Sequence, residues 1–333
     1  MNIPSKSLIA ASFLSCINLF CQEKDSIVLY NIIAELPKTQ SYKISETETF
    51  TYQKPRIWDL VNKIPTNVVG TAKDVVSKEV YPYSLGALGL TLAMLPADPW
   101  VIKNSRSFGN DLGLSEDHYY KDLGPLKIIP GNANSAFYFL GNGMTVVLLS
   151  GGMLTYGLID NDYRAMSTSL QLLESIAISG LFSQPIKRLT GRESPFVTIN
   201  EGRQHSAWKF APSFKTYQND TSRYDAMPSG HLMTAMSALT VLTENYPEKK
   251  WIKPIGYSLL GLLAFEMMQS EVHWASDYPI AILLGYIIGK NIAKSRITKS
   301  SDKNIANKPK KYKLQLTAAQ VYEYKTLGLS IKF

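Results

Sequence analysis

Histidine and cysteine, the residues that most often carry catalysis and metal binding, are scarce in this chain. It has four histidines and two cysteines in 333 residues. Both cysteines, Cys16 and Cys21, lie at the N-terminus, and a chain that starts near Gln22 would contain none. Disulfides and a thiol nucleophile are then excluded. Zinc-finger spacings and aromatic RNA-binding patterns are also absent, so nucleic acid is not expected as a partner.

The composition is that of a folded protein with an anionic partner. Hydrophobic residues make up 45% of the chain and charged residues 19%, which allows a sizeable core and argues against disorder. The formal net charge of +8 suits a membrane surface or a phosphorylated substrate.

The first 21 residues have the layout of a secretory signal peptide. Lys6 is the only charge before an apolar run over residues 8–20, and a polar, charged stretch begins at Gln22. The pattern predicts export to the cell envelope, with the protein facing the periplasm and associated with or integral to the membrane. The alternatives are a buried N-terminal helix and a lipid anchor on either cysteine.

Three further regions follow. Residues 22–79 are polar and mixed, and form an N-terminal extension. Residues 80–290 hold six apolar segments, at 81–96, 134–159, 168–186, 231–243, 254–268 and 279–289, whose composition predicts helices and hence an all-α, six-helix bundle. Residues 291–333 read as a basic linker and a short β tail, with a possible hairpin at the end.

The apolar segments are either membrane spans or buried helices of a bundle. A membrane span needs about 20 apolar residues, and only 134–159 clearly reaches that length, so both alternatives stay open.

Two short stretches combine cations with an anion-binding helix start. "PIKRLTGRESPF" places Lys187 and Arg192 at the end of an apolar helix, where capping alone would explain them. "MPSGH" offers Ser229 as an N-cap and Gly230 as a close approach to free backbone N–H groups, which bind anions. Helix capping does not explain His231, whose side chain would point towards such an anion.

A third stretch, "EVHWASDYPIAILLGYIIG", places His273 four residues before Asp277. If this turn is helical the two residues share a face; if Pro279 opens the last helix, Asp277 lies near its N-terminus instead. In both cases the carboxylate can hold the imidazole in one tautomer and support its positive charge. Together the three stretches supply charge neutralisation, a nucleophile and a leaving-group acid, which phosphoryl transfer requires.

In these motifs the sequence resembles the type-2 phosphatidic acid phosphatase and vanadium haloperoxidase superfamily. The family pattern is Lys-x6-Arg-Pro, then Pro-Ser-Gly-His, then Ser-Arg-x5-His-x3-Asp. The resemblance implies the helical bundle of that family over about residues 80–290. It also implies a metal-free mechanism without a cofactor, in which His273 attacks phosphorus, Asp277 orients it and His231 protonates the leaving oxygen. Lys187 and the backbone at Ser229 and Gly230 would hold the phosphoryl oxygens.

This chain departs from the family pattern at both arginines. Ser194 stands at the first arginine position, and Glu266-Met267 replaces Ser-Arg. Another cation is therefore expected at the phosphate, with Arg192 the first choice and Arg203, Lys209 and Arg223 as further candidates.

We expect an exported phosphatase of a lipid phosphate or diphosphate; the alternative is a weak or inactive phosphate- or lipid-binding relative. Without its arginines the site should hold vanadate poorly, so a haloperoxidase is disfavoured. The oligomeric state is not predictable.

Overall fold

The computed structural model describes residues 38–114, 118–124, 126–301, 313–321 and 324–332. The chain divides between Lys38 and Thr39, and all elements below belong to the second unit. The expected signal peptide lies outside the described residues.

The described chain is mostly helical, and the expected helical bundle is confirmed. The helices that precede residue 160 are α1 (Asp59–Asn62), α2 (Ile64–Val75), α3 (Tyr81–Met94), α4 (Asp98–Asp111), α5 (Ala133–Phe139) and α6 (Gly143–Ile159). The remaining helices are α7 (Tyr163–Thr190), α8 (Pro195–Asn200), α9 (Phe214–Asn219), α10 (Gly230–Asn245), α11 (Ile252–Gln269) and α12 (Tyr278–Lys294). A 3₁₀ turn, Ala275–Asp277, leads directly into α12. Four of the six predicted apolar segments lie within single helices; 81–96 runs just past the end of α3, and 134–159 is divided between α5 and α6.

The centre of the bundle is the packing of α10 against α12 and α7. Small residues allow a close approach between α10 and α12, because a Cβ atom on Gly285 would lie 2.5 Å from the backbone oxygen of Met233. A Cβ on Gly289 would lie 2.5 Å from the oxygen of Ser237. The buried side chains around this contact form the main core, and they include Leu172, Leu232, Leu263, Met267 and Ile288.

Segments on either side of the bundle pair in a small sheet that the sequence did not predict. Strands β1 (Thr39–Lys43), β2 (Glu48–Gln53) and β5 (Thr298–Ser301) form an antiparallel sheet in the order β1-β2-β5. Tyr42 donates a hydrogen bond to Asp162, and Tyr52 donates one to Asn245. Residues 39–53 are thus bonded to the helices through this sheet, and α2 also packs on α12.

Two hairpins complete the described chain. Strands β3 (Tyr120–Leu123) and β4 (Leu126–Pro130) form one just before α5. Strands β6 (Lys313–Val321) and β7 (Tyr324–Lys332) form the other, which confirms the predicted C-terminal hairpin.

The long apolar segment 134–159 is not one helix. Asn142 caps α6 through a hydrogen bond from Met144 N (2.9 Å), and α5 and α6 meet at a bend of 68°. Among the described residues, the stretch Tyr81–Asp111 is long and apolar enough to cross a membrane, and the bent pair is a second candidate if it acts as one span. The expectation that 134–159 is the clearest span is therefore not matched, because the Gly141-Asn142 break interrupts the helix.

Candidate active site

The cation of the first motif lies beside the start of α10. Lys187 is in the last turn of α7, which ends at Gly191 in the left-handed conformation (φ 53°). The buried Lys187 places its Nζ 3.5 Å from Oδ2 of Asp225 and 3.7 Å from the point where a Cβ on Gly230 would lie. The first and second motifs therefore meet.

The second motif forms a capped helix start, as its sequence predicts. Ser229 is fully buried and its Oγ accepts a hydrogen bond from Leu232 N at 3.4 Å. The backbone N–H of Ser229 donates to the carbonyl of Asp277 at 3.3 Å, which joins the second motif to the third. N–H groups at a helix start carry partial positive charge and favour an anion there.

The two predicted histidines face each other across this helix start. The ring centroids of His231 and His273 are 6.2 Å apart, with the rings at 67°. Desolvation, together with the nearby His273, Lys187 and His118, lowers the pKa of His231 to about 3. His231 is therefore a neutral imidazole at physiological pH in the free protein.

Asp277 is placed to orient His273. Its Oδ2 lies 3.4 Å from Nδ1 of His273 and accepts a hydrogen bond from Trp274 N at 2.9 Å. The contact with His273 is long, and Nδ1 of His273 has no well-aligned partner among the described residues. Asp277 ends the 3₁₀ turn and Pro279 lies in the first turn of α12, so the second of the two geometries expected from the sequence is present.

Arg192 lies behind this pair and contacts two buried carboxylates, those of Asp277 and Asp98. Its guanidinium donates to Oδ1 of Asp277 and to Oδ2 of Asp98, each at 2.5 Å, and to Ser276 Oγ at 2.7 Å. Burial acts to raise the pKa of Asp277, but Arg192, then His273 and the Trp274 N–H, hold it below its usual value. Arg192 therefore supports the carboxylate that lies beside His273.

The other basic residues of this region have different partners. Arg203 and Arg223 both pair with Glu193 and Glu201. Arg188 lies over the rings of Phe214 and Tyr217, and Lys209 lies 5.7 Å from the ring centroid of Tyr224. None of these contacts is with the histidines or with the start of α10. The two positions where the family has arginine are buried, and Met267 there receives a weak hydrogen bond from Ser229 Oγ (3.7 Å).

Sequence reasoning missed a second histidine–carboxylate pair beside the site, formed by His118 and Glu266. His118 Nε2 lies 2.5 Å from Oε1 of the fully buried Glu266. The His118 ring stacks on Tyr138 (centroids 4.2 Å apart), and Tyr138 contacts His231 (4.6 Å). A signal was present, because Glu266 is a charge inside an apolar helix, and a buried charge needs a partner.

No group of three or more His, Cys, Asp or Glu side chains is placed to hold a metal ion within the described ranges. The site joins one lysine, a helix start and two histidines, one of which is backed by a carboxylate.

Comparisons with known proteins agree with the motifs. The family model of the PAP2 superfamily matches residues 168–299, a range that holds all three motifs, and the resemblance is thereby confirmed. A solved structure of a transmembrane PAP2-type phosphatidylglycerolphosphate phosphatase from Bacillus subtilis is 15% identical, with a TM-score of 0.36 over 77% of this chain and 100% of that one. A likeness of that size carries no argument about activity. No match was found among curated proteins. The family match supports a phosphatase-type function.

Proposed function

We propose, from the PAP2 superfamily match of residues 168–299 and the geometry of the site, that this protein is a metal-independent phosphatase. It hydrolyses a lipid phosphate through a phosphohistidine. The observation that carries the proposal is the convergence of His273, His231 and Lys187 at the start of α10, although the three residues are up to 86 positions apart (273 − 187).

The reaction has two steps. The ring nitrogen of His273 that faces away from Asp277 attacks phosphorus, so a P–N bond forms while the P–O bond to the leaving oxygen breaks. His231 gives that oxygen a proton, and the alcohol leaves. Water then attacks phosphorus, the P–N bond breaks, and His231 recovers a proton from the water.

The protonation of His231 has to come with the substrate. Its pKa of about 3 leaves it neutral in the free protein. An anionic phosphate beside the ring favours the imidazolium form, and a phosphate monoanion brings a proton with it. Binding and protonation are therefore coupled in this proposal.

A membrane-associated lipid is the substrate class that the surface favours. Exposed apolar side chains cover parts of three helices; examples on α3, α6 and α11 are Leu85, Leu88, Leu92, Leu148, Leu158, Ile255 and Tyr257. Large exposed apolar areas mark interaction or membrane surfaces. Export and a periplasmic site remain part of the proposal on the strength of the N-terminal sequence alone.

The first test is turnover and phosphoryl trapping. With 1-acyl-glycerol 3-phosphate in detergent micelles, wild type should release inorganic phosphate and form an acid-labile, alkali-stable phosphoprotein, and His273→Ala should do neither. His205→Ala is the matched control because His205 is part of none of the motifs. Wild-type activity in His273→Ala would contradict the mechanism.

A binding-only relative is the second candidate, and one observation favours it. With Ser194 and Met267 at the arginine positions, Lys187 is the one lysine or arginine that the motifs bring to the start of α10 in the described chain. Hydrogen bonds to charged groups contribute about 1.5–3 kcal/mol each, so the loss of two is large. Phosphate binding without turnover in the wild type would select this candidate.

A further inference from the structure

Glu266 is a buried carboxylate with one oxygen that lacks a hydrogen-bond donor among the described residues. Its side chain is fully buried, and one oxygen, Oε1, faces His118 Nε2 at 2.5 Å. The other oxygen, Oε2, has no hydrogen-bond partner among the described residues. A buried carboxylate oxygen without a donor is costly, so Oε2 is an open acceptor for a donor that a water or a ligand supplies.

The position of Glu266 relative to the catalytic histidines says which part of a ligand would reach it. The rings follow one another as His273, His231, Tyr138 and His118, with successive centroid distances of 6.2, 4.6 and 4.2 Å. In the proposed reaction, phosphorus lies between His273 and His231, and the leaving oxygen is at His231. In the inference below, the leaving alcohol lies along this row of rings, from His231 past Tyr138 towards His118 and Glu266.

We infer that His118, Tyr138 and Glu266 form a leaving-group subsite that selects phosphomonoesters whose alcohol carries a free hydroxyl near the phosphate. The inference rests on the proposed function. A hydroxyl is the group that fits, because it donates to Oε2 of Glu266 and can accept from the ring of His118 or the phenol of Tyr138. An ionised second phosphate offers acceptors alone and leaves Oε2 unpaired.

The subsite also explains the replacement of Ser-Arg by Glu266-Met267 in the third motif. Met267 is buried and receives only the Ser229 hydroxyl, so it gives the phosphate no charge. Glu266, one residue earlier, binds His118, which comes from the segment just before β3 and lies outside the matched family range. Replacing Ser-Arg by Glu266-Met267 thus removes a contact to the phosphate and adds a contact to the alcohol that carries the phosphate.

The test compares two substrates that differ by a single hydroxyl. One is 1-acyl-glycerol 3-phosphate, and the other is its 2-deoxy analogue. Wild type should favour the hydroxyl substrate by at least about tenfold in kcat/KM, because sites that bond a substrate hydroxyl reject analogues lacking it. Glu266→Gln and His118→Gln should bring the ratio close to one, mainly by slowing the hydroxyl substrate.

A matched control separates recognition from a purely structural ion pair. Glu174 is another fully buried carboxylate, paired with Arg296 at 2.7 Å and bonded to Asn67, and none of these residues belongs to the site. Glu174→Gln should leave the substrate ratio unchanged even where it lowers stability. If Glu266→Gln slows both substrates equally, His118 and Glu266 merely hold the segment in place and the inference is overturned.

Failure of the subsite and failure of the phosphatase proposal give different results. Equal turnover of both substrates by wild type would overturn the subsite and leave the phosphatase intact. If neither substrate is hydrolysed, binding of the two matched non-hydrolysable phosphonates decides the matter. Preference for the hydroxyl phosphonate by at least about tenfold would support the subsite without the activity; equal or undetectable binding would overturn it.

Discussion

The guanidinium of Arg192 contacts two buried carboxylates in this structure. It joins Asp98 and Asp277, two buried acids that come from α4 and from the turn before α12. Arg192 helps to hold the pKa of Asp277 below its usual value, and in the proposed mechanism that carboxylate stabilises the imidazolium or phosphohistidine form of His273. We propose a positioning role for Arg192, as the alternative to the phosphate contact that its place in the motif predicts.

Arg192→Lys should lower kcat for 1-acyl-glycerol 3-phosphate by at least about tenfold, equal to about 1.4 kcal/mol, and leave the inhibition constant of inorganic phosphate nearly unchanged. A lysine has no planar fork and cannot bond Asp98, Asp277 and Ser276 together. Arg203→Lys serves as the control, because Arg203 pairs with Glu193 and Glu201. Weaker inhibition by inorganic phosphate in Arg192→Lys would instead show the direct phosphate contact.

His231 should make the fold acid-sensitive. Its pKa falls from an ordinary 6.5 to about 3 on folding, mainly through desolvation. Between those values the unfolded chain binds the extra proton, so the free energy of unfolding decreases as pH falls, by up to about 1.4 kcal/mol per pH unit. The urea midpoint, measured from pH 7 to pH 4, should fall less steeply in His231→Gln than in wild type. Parallel curves for the two proteins would refute this origin.

At the scale of elements, the close packing of α10 on α12 sets the geometry of the site. Helix α10 begins with His231 in its first turn, and α12 begins directly after Asp277. Their contact relies on Gly285, where a Cβ would meet the Met233 oxygen at 2.5 Å and the Met236 Cβ at 2.9 Å. Both are parts of α10 that cannot move without moving the helix.

Gly285→Ala should therefore destabilise the protein by about 1–3 kcal/mol and reduce turnover, since it forces the two helices apart. Gly261→Ala is the matched control in α11, where a new Cβ meets nothing within 4 Å. That change should stabilise by a few tenths to about 1 kcal/mol, because alanine is the better helix former. Thermal unfolding of both variants tests the pair, and equal effects would contradict the packing argument.

The helices of the bundle were predictable because their sequences are strongly apolar and end at glycine, proline or charge clusters. The break at Gly141-Asn142 was not recognised, since one glycine and one asparagine in an apolar run are also compatible with a continuous helix. Its tertiary reason is that a Cβ on Gly141 would lie 2.8 Å from the Cβ of His231. The pairing of β2 with β5 joins residues about 250 positions apart, and local patterns carry no information about such contacts.

Some residues of the site were also predictable from the sequence, and others were not. Lys187, Ser229, Gly230, His231, His273 and Asp277 could be found because their spacings match short motifs, and the structure brings them together. The partners of Arg192 depend on Asp98, which lies 94 residues earlier. The pairing of His118 with Glu266 spans 148 residues. Single buried charges in apolar helices indicate that a partner exists, but the sequence does not say which residue it is.

At the scale of the whole molecule, charge and apolar surface predict different modes of membrane association. The net charge of +8 alone would give binding that is screened by salt. The stretch Tyr81–Asp111 is mostly unburied within its apolar window, and α3 exposes several leucines to the outside of the bundle. Apolar contact with lipid does not weaken as salt rises, so extraction conditions distinguish the two modes.

We expect the full-length protein to stay in the membrane pellet after a wash with 1 M salt, at which the Debye length is about 3 Å, and to be released by mild detergent. Leu88 and Leu92 lie one turn apart on α3, with 46% and 57% of their surfaces exposed. Replacing both with glutamine should weaken retention. The control is Lys249→Gln with Lys250→Gln, which removes charge near the start of α11. Release of wild type by salt alone, or weaker retention in the lysine variant only, would show that charge holds the protein at the membrane.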